Sequence, residues 1–89
     1  MGKVVKEAGS LVTLSNCKVY VYGGPAEHPP PHFHIRGPNT RCSVDLATFE
    51  PTKGHYDKKD MKEVLGWIAE PENLALIWAR WRSLNEREE

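Results

Sequence analysis

The run Glu27-His28-Pro29-Pro30-Pro31-His32-Phe33-His34 places three of the chain's four histidines within seven residues, beside a triple proline. Imidazole titrates near neutrality and is a common metal ligand, so this density points to proton transfer, anion binding or metal ligation. His28, His32 and His34, with Asp45 as a further donor, are residue types that can hold a divalent ion and activate its bound water. Without a metal, His32 or His34 could serve as general base while Arg36 or Arg41 stabilises phosphoryl charge, the division of labour of a ribonuclease. The same forked guanidinium donors also suit a module that binds an anion without turning it over. A structural use competes with all three: histidines after prolines can hydrogen-bond loop carbonyls and cap a small sheet.

Any chemical role requires these groups to share a face. If residues 32–36 form a β-strand, His32, His34 and Arg36 point one way while Phe33 and Ile35 point the other. Residues 41–46, Arg-Cys-Ser-Val-Asp-Leu, alternate in the same phase, and Gly37-Pro38-Asn39-Thr40 between them reads as a turn. The simplest hairpin pairs Arg36 with Arg41, His34 with Ser43 and His32 with Asp45. Its polar side then carries His32, His34, Arg36, Arg41, Ser43 and Asp45, and Phe33, Ile35, Cys42, Val44 and Leu46 line the core. Asp45 opposite His32 would orient one imidazole nitrogen or complete a metal site. Residues 17–22 predict a further strand with Tyr20 and Tyr22 on the histidine face, where their rings could pack the imidazoles or stack on a ligand.

Length bounds what can hold this face in place. The chain has 89 residues, enough for one domain that buries about 60 to 65% of the surface exposed on unfolding. Apolar residues make up 39% and charged residues 27%, the balance of a folded globular protein rather than a disordered one. Twelve basic and twelve acidic residues cancel, so no global field recruits nucleic acid and any such binding needs a local patch. The start, Met-Gly-Lys-Val-Val-Lys, lacks the apolar core of a secretory signal, and no apolar run approaches the roughly 20 residues that span a bilayer. A cytoplasmic location is the default expectation. Cys17 and Cys42 are in phase with apolar neighbours and read as buried, reduced thiols.

The remaining chain supplies the scaffold. Residues 1–15 read as a loose strand or an arm, and residues 86–89 as a frayed tail. Residues 48–56, with Pro51 and Gly54, read as a turn region in which His55 is an exposed loop residue. Asp57 is placed to cap a helix in which Met61, Val64, Leu65 and Ile68 form an apolar stripe. Glu70-Pro71-Glu72 opens a second helix, with Leu74, Ile77, Trp78, Trp81 and Leu84 on one face. Lys58, Lys59 and Lys62 read as an ordinary solvated helix face, with an RNA-binding patch as the alternative. The expected architecture is α+β: a small antiparallel sheet of three or four strands with two C-terminal helices packed on one face.

Taken together, Val19-Tyr20-Val21-Tyr22, the Glu-His-x-Pro-Pro-His-Phe-His core, Ser43-Val44-Asp45-Leu46 and two helices with a late tryptophan resemble a bacterial family designated a domain of unknown function. The resemblance covers about residues 17 to 85, and this chain carries one additional proline before His32. It implies a sheet covered by two helices, and a small partner resembling an antitoxin or regulator encoded alongside. The reading that unites these features is a binding or regulatory module of a toxin–antitoxin-like pair, engaging a partner protein or anionic ligand through a His/Arg sheet face. The alternative is a metal-dependent or His-based nuclease or hydrolase. Candidate ligand-binding residues are Tyr20, Tyr22, His28, His32, His34, Arg36, Arg41 and Asp45. Nucleic acid is a further candidate partner, and Trp67, Trp78 and Trp81 offer material for a homodimer interface.

Overall fold

A computed structural model describes residues 9–23 and 30–85. Five strands, β1 (Val12–Thr13), β2 (Lys18–Tyr20), β3 (His32–Gly37), β4 (Thr40–Asp45) and β5 (Pro51–His55), precede two helices, α1 (Lys58–Ile68) and α2 (Pro71–Asn85). The strands form one antiparallel sheet in sequence order, a simple meander. The fold is α+β as expected, but the sheet has five strands rather than three or four. The extra edge strand is β5, in the region read as a turn. Its five residues are all exposed, so it carries no apolar alternation to betray it. Proline at its first position and on the sheet edge costs no ladder hydrogen bond.

The central hairpin has the register that the alternation dictates. His32 pairs with Asp45, His34 with Ser43, Arg36 with Arg41, and Gly37 with Thr40, leaving Pro38 and Asn39 as the turn. One face of the sheet is thereby apolar: Val19, Phe33, Ile35 and Val44 are fully buried. They belong to a single cluster with Met61, Val64 and Ile68 of α1 and Ile77 and Trp81 of α2. The stripe expected on α1 is therefore used, although Leu65 lies at its exposed margin, and Leu84 of α2 is also exposed. Trp67 and Trp78 are half-buried against the core.

Polar bonds fix the helices to the sheet. Asp57 caps α1 by accepting from the Lys59 amide at 2.8 Å. Thr40 Oγ1 accepts from the Asp57 amide at 3.0 Å and donates to the buried Asp60 carboxylate at 2.6 Å, joining the hairpin turn to the first turn of α1. Glu63 accepts from the Ser15 amide and hydroxyl at 3.1 and 2.8 Å, fastening the β1–β2 turn. At the other end Asn85 Nδ2 donates to the Tyr22 carbonyl at 3.0 Å, which anchors the last turn of α2 just past the end of β2. No described helix is long and apolar enough to cross a membrane. The expected tail at residues 86–89 and the arm over residues 1–8 lie outside the described residues; the later part of that expected arm includes β1.

Candidate functional site: the open face of the sheet

The face opposite the helices is organised in transverse rows, because directly paired residues on neighbouring strands point the same way. One row runs Lys18, Arg36, Arg41, His55, and the next runs Tyr20, His34, Ser43, Lys53. At about 4.8 Å per strand, the first row extends roughly 14 Å across four strands. A third row begins with His32 and Asp45. These rows hold four Lys or Arg and one carboxylate.

β5 contributes Lys53 and His55 to this face because of a bulge. Ser43 pairs with Lys53 but Val44 pairs with Pro51, so Thr52 is the extra residue. Gly54, between them, has φ 92° and comes so close to the Arg41 carbonyl that a Cβ there would collide with it. Glycine is required on both counts.

Aromatic rings knit the other side of the face. Tyr20 and Tyr22 stack with centroids 5.6 Å apart and planes within 16°. Tyr22 meets His34 at 4.8 Å, His34 meets His32 edge-on at 5.1 Å, and His32 meets Trp81 at 5.2 Å. The chain of rings runs from the open face into the core, and each ring restricts the rotamers of the next. The Arg36 guanidinium lies 6.0 Å from the Tyr20 ring centre and 5.6 Å from that of Tyr22, within cation–π range.

The histidines have identifiable polar partners. His32 Nδ1 lies 2.9 Å from the Pro30 carbonyl, which can only accept, so this nitrogen carries the hydrogen and Nε2 is the basic one in the neutral ring. His34 Nδ1 lies 3.3 Å from Ser43 Oγ. Asp45 serves the backbone instead, its Oδ1 accepting from the amides of Ala47 and Thr48 at 2.6 and 3.0 Å and so closing the turn into β5. Among the described residues no group of three or more His, Cys, Asp or Glu is arranged to hold a metal ion. His28, the third imidazole of the expected trio, lies outside the described residues.

An open depression of about 280 Å³ is lined by His34, Arg36, Arg41, Ser43, Lys53 and Gly54. Tyr20, Tyr22, His32, His34, Arg36 and Arg41 are thus gathered as their spacing implies. Lys18 stands out in the sequence only as an alternating strand residue, and Lys53 and His55 lie in a segment that reads as a turn. Their spacing of two is the available signal, but no apolar neighbour sets its phase. The cysteines take no part. Both are free and buried, and burial pushes the Cys17 thiol up to about 11, with the Asp60 and Glu63 carboxylates adding to the effect. Burial raises Cys42 as well.

Residues 17–82 match the family described as a domain of unknown function, DUF4160. No curated protein and no solved structure matches the chain. The matched span includes every residue of the transverse rows, from Lys18 to His55, and both helices except the end of α2. With most of its length covered, this chain belongs to the DUF4160 family.

Proposed function

We propose that the chain is a binding module whose open sheet face takes an anionic ligand. The observation that supports this most strongly is the row Lys18, Arg36, Arg41, His55, flanked by Lys53, on a chain whose formal charge is zero. Cross-strand pairing of like charges destabilises a sheet, so Lys18 opposite Arg36 and Arg36 opposite Arg41 oppose folding. An anion laid across the row relieves that repulsion and receives charge-assisted hydrogen bonds. An acidic surface on a small partner protein would be held by the same groups, which suits a regulatory half of a toxin–antitoxin-like pair.

Calorimetric titration with tripolyphosphate tests the reading. The unsubstituted chain should bind, and the double variant R36Q/R41Q should lose about a hundredfold in affinity, two charged hydrogen bonds being worth roughly 1.5 kcal/mol each. Equal affinity in both proteins would refute it.

A second reading, phosphodiester cleavage, is favoured by one observation: the paired imidazoles share a strand face with Arg36, with His34 two residues from it and His32 held in a defined tautomer. His32 or His34 would be the base and Arg36 or Arg41 the charge stabiliser. Cleavage of RNA that persists in chelator and disappears in H32A/H34A would select it over simple binding.

A further inference from the structure

The anion-binding face carries more than charge. A site for a compact anion needs converging donors, whereas here the cations are strung along a transverse row about 14 Å long. Beside that row stand two stacked tyrosines, half-buried on the outer face of β2 and the residues after it. Phosphates spaced along a backbone match the row, and planar bases match the rings. Both features occur together in proteins that bind single-stranded nucleic acid on an open antiparallel sheet.

Charge distribution points the same way. Residues 9–23 and 30–56 contain Lys18, Arg36, Arg41 and Lys53 against Asp45 and Glu50, and all four cations share the open face. The helical segment from Asp57 to Asn85 contains five Lys or Arg and five Asp or Glu, which cancel. Among the described residues the excess of positive charge therefore lies on the sheet.

We infer that this face binds single-stranded RNA, with Lys18, Arg36, Arg41 and Lys53 tracking phosphates and Tyr20 and Tyr22 offering ring surface to bases. The inference rests on the anion-binding reading and names its ligand class. Duplexes fit poorly, since their bases are stacked away from an aromatic surface. The Ser43 hydroxyl, between the cations and the rings and 3.3 Å from His34 Nδ1, can both donate and accept and so suits a ribose 2′-hydroxyl, which favours RNA over DNA.

The test is fluorescence anisotropy with a labelled, unstructured RNA of about ten nucleotides, within the range a single sheet domain covers. The deoxy version, a duplex of the same sequence and tripolyphosphate serve as parallel ligands. The expected result is saturable RNA binding that is several-fold weaker for the deoxy strand and weaker again for the duplex. Removing the Arg41 charge should lower the slope of log affinity against log salt by about 0.7. Tyr20→Leu should weaken RNA binding about tenfold, as loss of one stacking surface does, and Tyr20→Phe should restore it. If tripolyphosphate binds in an Arg36- and Arg41-dependent way but RNA binds no better, or is indifferent to Tyr20→Leu, the RNA assignment is overturned and the anion reading stands. Equal binding of the deoxy strand overturns the choice of RNA. If neither ligand binds, both fall.

Discussion

The open face of the sheet and the outer surface of the helices are both rich in cations, yet they are built differently. On α1, Lys58, Lys59 and Lys62 alternate with Asp57, Asp60 and Glu63 along the chain, so each positive charge has a carboxylate nearby in sequence. On the sheet, the four Lys or Arg come from four different strands, β2 to β5, and are brought side by side by pairing. Topology, rather than composition, thus creates the cationic row on the sheet. It also assigns different costs: the helical lysines are compatible with stability, whereas the row of like charges works against it.

The largest expected effect separates the two surfaces directly. Charge reversal at Arg36 and Arg41 should abolish measurable tripolyphosphate binding, beyond the roughly hundredfold loss from neutralising them. Reversal of Lys58, Lys59 and Lys62 should change affinity by no more than about threefold, a distant screened effect. Comparable losses from both variants would erase the distinction.

A second experiment attacks the seam between the regions. Thr40→Val removes the donor to the buried Asp60 and the acceptor for the Asp57 amide, and should cost about 2 kcal/mol in urea unfolding. Anion affinity of the folded fraction should not change, since Thr40 faces the helices. A binding loss there would mean the sheet face depends on α1 more than its geometry implies.

Gly54→Ala probes how β5 holds Arg41. The left-handed φ and the adjacent Arg41 carbonyl require the backbone to shift, so a loss of about 1 kcal/mol or more is expected together with weaker anion binding. Unchanged binding would show that β5 is dispensable for the row.

The smallest effect on anion binding concerns the cysteines beneath the face. Their ordinary value is near 9.0, and Cys17 is raised to about 11, so above pH 9 the unfolded chain releases a thiol proton that the native chain keeps. Stability should be unaffected by these thiols below pH 9 and decline between pH 9 and 11. At pH 8 a thiol reagent should label Cys17 and Cys42 only as fast as the chain opens. Rapid labelling of the native protein would contradict their burial.

How much of this is legible in the sequence depends on which residues have an apolar neighbour to fix their phase. Phe33, Ile35, Cys42 and Val44 alternate with the polar residues between them, so the β3–β4 register follows directly from period two. Pro51 to His55 contains no buried residue, and its membership of the sheet rests on main-chain bonds and a bulge that leave no pattern in side-chain type. Lys53 and His55 escape a reading of side-chain pattern for that reason. Asp45 illustrates a different gap: its place opposite His32 is readable, but its bonds to Ala47 and Thr48 depend on how the following turn folds. The contact of His32 with Trp81 is equally hidden, because where the end of α2 lies depends on the Asn85 bond to Tyr22.

The most direct test is a tripolyphosphate titration followed through the backbone amide resonances of the whole chain. Saturable shifts should concentrate on Lys18, Arg36, Arg41 and Lys53 and their strand neighbours, with little change along α1. Shifts confined to Lys58, Lys59 and Lys62, with the sheet silent, would contradict the assignment of the open face as the binding surface.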